Sequence, residues 1–408
     1  MFRKFGINLN TITLNIFYQN FFMKTKSENI VTRVNENIFY KEFTFDKNNF
    51  VSNDGDTKEL ADNILWLDDL LFIIQIKERN LHEVKSKEDE NNWFKNKVLG
   101  KAKSQIYQSL KFFQDNKKIN IKNIRGHLLD ISKVNLGRVK KIIIYMPNSF
   151  LIGEENKSIK FYKSKKSGSI NIFNIDDYSN ICKKLITPTE LNEYLEFRER
   201  FCLKHGESYS EEYMLAHFLN TDDESEINKN HTEIFNKLLE DFEDFDVSSI
   251  IIPFSNKMLP RQNSRPVDYH LILKEIAKLK RYELLEFKKR YKQIINDVAL
   301  SQFRLPYRFT STRIDCGFVF IPLDNRHEAC AENYLLNHTE LYKYKRKLNK
   351  CLGVLVYKIG EYFDIKWALF HENWVYNKIM EDDLKKESKF CGEVITLPLH
   401  RYKINSDS

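Results

Sequence analysis

The stretch that decides the fold is Glu59-Leu-Ala-Asp-Asn-Ile-Leu-Trp-Leu-Asp-Asp-Leu-Leu-Phe-Ile-Ile-Gln-Ile-Lys77. It contains two apolar runs, residues 64–67 and residues 70–76, on either side of Asp68-Asp69. Short runs rich in Ile, Leu and Phe that are joined by two turn-forming residues are typical of a β-hairpin. We therefore expect two antiparallel strands here, with the two aspartates at the turn.

The register of this hairpin brings three polar side chains together. If Leu67 pairs with Leu70, Asp62 lies opposite Gln75. Side chains alternate between the two faces of a strand, so Asp62, Gln75 and Lys77 point to the same side. The sequence thus predicts a carboxylate, an amide oxygen and an ammonium at one end of an otherwise apolar hairpin.

These groups suit the hydrolysis of a phosphodiester. Mg²⁺ prefers an octahedron of oxygen ligands and keeps several waters. The Asp62 carboxylate, the Gln75 side-chain oxygen and the Ile76 carbonyl would supply part of such a shell. Lys77 would orient or help to deprotonate the attacking water, and would neutralise charge that builds up on the phosphate.

The same residues resemble the motif of the PD-(D/E)XK nuclease superfamily. Its members carry an Asp at the start of one strand and a Glu-x-Lys or Gln-x-Lys at the end of the next, which Asp62 and Gln75-Ile-Lys77 match. The loop at residues 55–60 is similar to the lead-in of Mrr-like restriction nucleases, whose active members use the Gln-x-Lys form. The resemblance implies a restriction-endonuclease-like α/β core and DNA cleavage that depends on Mg²⁺ or Mn²⁺. A neutral Gln75 departs from the Glu-x-Lys form and weakens metal binding.

The resemblance also suggests further carboxylates. Glu59 is a candidate second carboxylate at the metal site and a candidate catalytic residue, or it is an ordinary loop charge. Many nucleases of this superfamily carry an extra metal-binding Glu on an N-terminal helix, which makes Glu28 and Glu36 candidates. Both also fit a solvated helix surface. An Asp and a Gln-x-Lys at this spacing also occur by chance, so the surrounding elements must support the motif.

Composition narrows the class of protein. The chain has 408 residues, 42% hydrophobic and 30% charged, as expected for a globular protein. Its net charge of +8 permits binding to a polyanion without demanding it. Six cysteines lie far apart without a Cys-x-x-Cys pair, which predicts reduced thiols in a cytoplasmic protein. No stretch is long enough to span a bilayer, so no membrane partner is expected.

The elements around the hairpin predict a nuclease-like domain at residues 1–185. A helix at 93–115 lies between the hairpin and a strand at 139–146, which implies a parallel crossover. Strands at 40–46 and 169–175 complete a mixed sheet of about five strands with helices on its faces. Further expectations are a helix within residues 11–33, loops at 47–58 and 78–91, and helices at 176–185 and 187–201.

The helix predicted at 93–115 has one apolar face and one basic face. Lys101, Lys103 and Gln105 lie outside the apolar stripe, and in a nuclease they would contact DNA phosphates. The alternative is a solvated helix surface, which is the usual meaning of a run of lysines.

The rest of the chain predicts two further regions. Residues 186–310 are mainly helical, with a loop at 253–268 and one long helix at 268–303. Residues 311–408 form a second, small α/β unit of unknown role, with strands at 316–321, 352–357 and 363–369 and a helix at 329–349. Either region would recognise a target, bind a protein partner or assemble a homo-oligomer.

Together these patterns favour a metal-dependent endonuclease that hydrolyses DNA, in the role of a bacterial restriction or anti-phage effector. That role follows from the resemblance and from nothing in the composition. Three alternatives stay open: a non-catalytic nuclease-fold module that binds nucleic acid or a protein partner, with Gln75 as the lesion; a ribonuclease; and a scaffold protein.

Overall fold

The structure is a computed structural model that describes residues 25–386, except residues 47, 52–56, 81, 83–85, 124, 133, 149, 222 and 258–267. The helix predicted within residues 11–33 and the loops predicted at 47–58, 78–91 and 253–268 therefore lie partly outside the described residues. Among the described helices, none has the length and apolar character that a bilayer span requires.

The described strands occur in two groups along the chain, separated by a mainly helical stretch. The strands are β1 (Thr44–Phe45), β2 (Asn49–Val51), β3 (Thr57–Glu59), β4 (Asn63–Leu67), β5 (Leu70–Glu78), β6 (Asn120–Lys122), β7 (Leu128–Asp130), β8 (Lys140–Met146), β9 (Phe161–Ser164), β10 (Gly168–Asn174), β11 (Tyr307–Ser311), β12 (Cys316–Pro322), β13 (Lys350–Ile359) and β14 (Tyr362–His371). The helices are α1 (Lys26–Ile38), α2 (Lys87–Trp93), α3 (Lys103–Asp115), α4 (Glu154–Lys157), α5 (Ile175–Lys184), α6 (Pro188–His205), α7 (Glu211–Asn220), α8 (Ile234–Glu240), α9 (Phe242–Phe245), α10 (Ser248–Lys257), α11 (Asp268–Ala277), α12 (Arg281–Ala299), α13 (Ala331–Lys345) and α14 (Lys378–Lys386).

A mixed six-stranded sheet contains the predicted hairpin. Its strand order is β1-β4-β5-β8-β10-β9. Strands β4 and β5 are antiparallel and pair Leu67 with Leu70 and Ile64 with Ile73, so the predicted register is confirmed. Strands β5 and β8 are parallel and are connected through the helical layer, as the predicted crossover requires.

Three details of this sheet differ from the prediction. It has six strands instead of about five, because β9 pairs with β10 at the edge. Its first strand is only Thr44–Phe45, because Tyr40 has a φ of 68° and a 3₁₀ turn takes up Lys41–Phe43. The helix after the hairpin begins at Lys87, inside the predicted loop, since the Ser86 hydroxyl caps its N-terminus.

The helical layer on one face of the sheet is continuous from α2 to α3. A π-helical segment, Phe94–Ala102, joins the two α-helices without a break. Its buried side chains Phe94, Val98 and Ala102 and the α3 residue Ile106 pack on the side chains of β5, β8 and β10 that point to this face. Among the β5 residues on this face are Leu71 and Ile73. Gln75 and Lys77 follow them at the same alternation.

Helices α1 and α5 to α8 cover the opposite face of the sheet. One buried cluster there contains Val31 of α1, Ile74 and Ile76 of β5, Tyr178 of α5 and Leu195 of α6. The α6 helix begins as predicted, because the Thr187 hydroxyl accepts from the Glu190 N–H and Pro188 occupies the first turn. This core therefore includes residues from both sides of the predicted boundary at residue 185.

A second sheet, in the order β11-β12-β13-β14, forms the C-terminal part of the fold. Strands β12 and β13 are parallel, with α13 as their crossover. Helices α10 to α12 pack on one face of this sheet, in a core that also contains Leu67 of the hairpin. The chain is thus a mixed α/β protein with a helix-flanked mixed sheet and a smaller second sheet.

Two predictions for this part are corrected. The single helix predicted at 268–303 is two helices, α11 and α12, because the Glu283 carboxylate accepts from the Lys280 N–H at 2.7 Å and starts a new helix there. Strand β11 was not predicted. The boundaries at residues 185 and 310 stay predictions, although a common core crosses each of them.

Candidate functional site

The hairpin brings Asp62, Gln75 and Lys77 to one end of β4 and β5. Asp62 directly precedes β4, and its Oδ2 accepts from the Ile76 N–H across the hairpin. The same Oδ2 lies 3.2 Å from Lys77 Nζ. The three side chains that the sequence predicted to meet are therefore together in the structure.

The Lys77 ammonium is surrounded by oxygen atoms. It donates to the Ile76 carbonyl at 2.8 Å, to Asp62 Oδ2 at 3.2 Å and to Gln75 Oε1 at 3.4 Å. These are the three groups that the sequence predicts as metal ligands. One carboxylate and two neutral oxygens thus converge on one positive charge.

The exposure of the side chains increases along the cluster. Gln75 is 2% exposed, whereas the side chains of Asp62 and Lys77 are 10% and 14% exposed. Electrostatic interactions are stronger at such a partly buried site than in bulk water, because the local dielectric constant is lower. The cluster keeps contact with solvent through the carboxylate and the ammonium.

Contacts on both sides of Lys77 fix the end of β5. The Glu78 carboxylate accepts from the Ser27 N–H at 2.7 Å and holds the N-terminus of α1. Arg79 Nε donates to the fully buried Glu90 of α2 at 3.2 Å. Glu90 also accepts from the Asn148 N–H at 2.9 Å, just after β8. The backbone that carries Lys77 is therefore held between two helices and a neighbouring strand.

The π-helical segment and Tyr145 lie on the same face of the sheet as Lys77. Tyr145 of β8 pairs with Lys77, and its ring meets the Phe94 ring edge-on at 5.0 Å. Burial raises the pKa of Tyr145 above its usual value of 10, and the Asp177 carboxylate adds to the effect. Tyr145 stays neutral at physiological pH, and the sequence prediction did not include it. Tyr145 could have been found only from its pairing with Lys77 between the parallel strands β5 and β8. The sequence did not reveal the register of that pair.

The three residues predicted to contact nucleic acid lie on two different flanks of the helical layer. Ser109 donates to the Leu60 carbonyl, two residues before Asp62. Gln105 precedes Ser109 by one helical turn and therefore shares its flank, and Lys101 lies one turn further back. Gln105 Oε1 is buried and has no hydrogen-bond partner among the described residues. Lys103 is on the other flank, where its Nζ contacts the hydroxyl of Tyr162 in β9 at 3.2 Å.

The further carboxylates that the resemblance suggested lie on β3 and on α1. Glu59 is exposed and ends β3, in the two-stranded ribbon where it pairs with Asn49. Glu28 caps its own helix, since its Oε2 accepts from the Thr25 N–H at 3.0 Å. Glu28 and Glu36 both belong to α1, which packs on the face of the sheet opposite to Lys77.

The donor set fits a hard divalent cation that keeps most of its waters. Mg²⁺ is commonly bound through one or two carboxylates, with waters and substrate oxygens completing the octahedron. Asp62, Gln75 and the Ile76 carbonyl provide three oxygens within 3.4 Å of one point, the position of Lys77 Nζ. In the part of the chain that the structure describes, no three His, Cys, Asp or Glu residues form a metal-binding group. A site here would therefore depend on the amide and carbonyl oxygens.

Comparison with known proteins adds no assignment. No protein-family model, no curated protein and no solved structure matches the chain.

Proposed function

We propose that the chain is a metal-dependent endonuclease that hydrolyses DNA phosphodiester bonds at the cluster of Asp62, Gln75 and Lys77. The observation that supports the proposal most is the convergence of three oxygens on the Lys77 ammonium at distances of 2.8 to 3.4 Å. A site that collects oxygens around a positive charge is suited to a divalent cation and an anionic substrate.

Each residue has a chemical role in this proposal. Asp62, Gln75 and the Ile76 carbonyl hold Mg²⁺ or Mn²⁺. The metal, when bound, supplies Lewis acidity and a lowered pKa for a coordinated water. Lys77 donates a hydrogen bond to the attacking water or to a phosphate oxygen, and its charge offsets the negative charge that develops there. The anchored end of β5 keeps the ammonium in place.

The topology around the cluster is compatible with this function. An Asp before one strand and a Gln-x-Lys in the next face the helical layer that connects β5 to the parallel strand β8. A restriction-endonuclease-like core would have the same succession of helix, antiparallel strands, crossover helix and parallel strand. A π-helical segment beside the cluster is a further point of agreement, since such segments occur often at functional sites.

The proposal is tested by cleavage of supercoiled plasmid with Mg²⁺ or Mn²⁺. The variant Asp62→Asn keeps the size of the side chain and removes the only carboxylate of the cluster. The control, Asp69→Asn, changes the same residue type at the other end of the same hairpin, where Asp69 is half exposed and pairs with Arg138. We expect metal-dependent cutting by the wild type and by Asp69→Asn, and none by Asp62→Asn.

Other outcomes separate the alternatives. Cutting that survives in Asp62→Asn would mean that the cluster is not the active site. Cutting of RNA but not of DNA would replace the DNA endonuclease by a ribonuclease. Binding of nucleic acid without cutting, under every metal tried, would favour the non-catalytic module. The proposal includes a role in restriction or anti-phage defence, which the resemblance implies, and a cytoplasmic location, which the cysteine pattern favours.

A further inference from the structure

The outer flank of α3 and the hairpin of β9 and β10 form a continuous basic surface. Lys103 of α3 lies over the ring of Tyr162 in β9, with its Nζ 4.5 Å from the ring centroid. Lys166, in the turn between β9 and β10, lies over the ring of Tyr107 in α3 at 5.2 Å. Two cation–π contacts in opposite directions therefore tie the helix to the hairpin.

The two segments that form this surface contain basic residues and no acidic residues. About one residue in seven of the whole chain is acidic. Residues 94–114 contain five lysines and residues 158–170 contain four, and neither segment contains an Asp or a Glu. Of these lysines, Lys160 turns inward to Glu211 at 3.3 Å, and Lys163 follows Tyr162 in β9 and therefore points to the opposite face of the sheet. Lys165 and Lys166 are exposed in the turn between β9 and β10.

The turn that carries the exposed lysines has a defined conformation. The Ser164 hydroxyl accepts from the N–H groups of Lys166 and Ser167 at 3.3 and 3.1 Å. Gly168 follows with a φ of 67°, which favours glycine because it has no Cβ. A fixed turn holds its lysines close together, so less conformational entropy is lost when they bind an anion.

The position of the surface makes it separate from the candidate active site. Strand β9 is three strands away from β5 in the sheet order β5-β8-β10-β9. At a strand spacing of about 4.8 Å, this places it about 14 Å from the strand that carries Lys77. Lys103 and Tyr107 nevertheless belong to the same helical layer that covers the face of Gln75 and Lys77. An extended polyanion is long enough to contact the basic surface and the candidate active site at the same time.

We propose that this surface, formed by Lys103, Tyr107, Tyr162 and the turn with Lys165 and Lys166, binds the phosphodiester backbone of a nucleic acid outside the active site. The identity of the polyanion as a nucleic acid rests on the proposed function. Clustered lysines without neighbouring carboxylates contact phosphates and release counterions, and such contacts position a substrate without reading its sequence.

The test is equilibrium binding of fluorescent duplexes to the full chain in buffer without divalent metal, at several salt concentrations. One variant carries Lys165→Ala and Lys166→Ala. The control carries Lys289→Ala and Lys345→Ala, two exposed lysines elsewhere, and so has the same net charge. A third protein replaces the turn lysines by Arg. Duplex DNA and duplex RNA of the same sequence serve as separate probes.

We expect the slope of log affinity against log salt to decrease by about one to two for the alanine variant, close to one unit for each phosphate that the variant no longer neutralises. The control and the Arg variant should keep the wild-type slope. Binding of either duplex with this pattern supports the surface. Equal losses in the alanine variant and its control, an unchanged slope, or no binding by the wild type would overturn it.

This result is independent of the cleavage assay. Plasmid cutting together with an unchanged slope would keep the proposed function and reject the surface. Loss of slope without any metal-dependent cutting would keep the surface and reject the endonuclease. The turn lysines are exposed, so the variant should unfold at the wild-type temperature, which thermal unfolding checks.

Discussion

The two ends of the hairpin β4–β5 both hold an aspartate against lysine, but they do so in different ways. At the base, Asp62 and Lys77 belong to the hairpin itself and meet through its register. At the turn, Asp68 accepts from Lys274 at 3.1 Å and from Lys278, both more than 200 residues away in the sequence. The first contact is local, and the second joins the hairpin to a distant helix.

The charges at the turn form a closed network. Glu275 accepts from Lys278 at 3.2 Å and from Lys350 at 2.8 Å, so Asp68 and Glu275 each face two ammonium groups. Burial raises the pKa of Asp68, but the charges and hydrogen bonds of Lys278 and Lys274 outweigh it and lower the pKa to about 2. At the base, two of the three oxygens around Lys77 are neutral.

This difference separates a structural ion-pair network from a candidate site. At the turn, Asp68 and Glu275 are each paired with two lysines and gain little from another cation, whereas at the base Asp62 is paired with one lysine, Lys77, among the described residues. Neutral amide and carbonyl oxygens grouped around a single carboxylate are ligands that a hard cation uses. We therefore assign a structural role to the turn and a metal-binding role to the base. Each role can be tested by its own substitutions.

The largest effect is expected from removal of the Lys77 charge. We expect Lys77→Gln to lower the rate of metal-dependent cleavage by a factor of about 10² to 10⁴, because the variant loses the positive charge beside the phosphate. Lys274→Gln, the matched change at the turn, should keep the rate within about threefold. Single-turnover plasmid cleavage measures both, and equal rates for the two variants would contradict the comparison.

Stability should show the reverse order. Asp68→Asn leaves Lys274 and Lys278 without their shared carboxylate, and we expect it to lower the free energy of unfolding by about 2 kcal/mol. Asp62→Asn should cost less than about 1 kcal/mol, because Lys77 keeps its contacts with Gln75 and the Ile76 carbonyl. Urea unfolding at pH 7 gives both values. A larger loss for Asp62→Asn would reverse the roles of the two ends.

The turn should also make the fold sensitive to mild acid. His270 of α11 stacks on Trp66 of the hairpin, and its buried Nε2 has no partner among the described residues. Burial, and then the charge of Lys274, lowers the pKa of His270 from 6.5 to about 4. The unfolded chain takes up a proton below pH 6.5 that the folded chain refuses until about pH 4, so stability falls as the pH decreases.

We expect this histidine to account for a loss of about 2 kcal/mol between pH 7 and pH 5. Phe fits between the neighbouring aromatic rings, so His270→Phe should fold and should lose less stability over the same interval. Urea unfolding of the wild type and the variant at both pH values measures the difference. Parallel losses in the two proteins would show that His270 does not titrate in this way.

The smallest expected effect concerns the neutral ligand. Gln75→Glu adds a second carboxylate to the base, and we expect it to lower the Kd for Mn²⁺ by about tenfold, because ligand charge tunes the affinity of hard cations. Isothermal titration of metal into the wild type and the variant measures this change. An unchanged Kd would mean that the side chain at position 75 does not contact the metal.

The contrast between the base and the turn of the hairpin also explains which contacts could be predicted from the sequence. The hairpin, its register and the meeting of Asp62, Gln75 and Lys77 follow from local alternation, which fixes faces over a few residues. The contact of Asp68 with α11 requires the tertiary arrangement of a helix more than 200 residues later, which no local pattern carries. Glu28 looked like a metal ligand by residue type, yet it caps its own helix.

The helical layer shows that periodicity predicts buried side chains better than it predicts which exposed side chains lie together. The apolar stripe predicted the buried side chains Phe94, Val98 and Ile106. Lys101, Lys103 and Gln105 were expected to contact DNA phosphates because all three lie outside the apolar stripe. Two residues along a helix are about 200° apart, so Lys103 faces Tyr162 of β9 while Gln105 lies on the flank of Ser109. The edge strand β9 could not be placed without the sheet order.

The most direct test of the central claim is a titration of Mn²⁺ into the wild type, Asp62→Asn and Asp68→Asn, followed by calorimetry in the absence of nucleic acid. It needs neither a target sequence nor an activating signal. The account predicts one Mn²⁺ bound by the wild type and by Asp68→Asn, and none bound by Asp62→Asn. Equal binding by the two variants would contradict the claim that the base of the hairpin is the metal site.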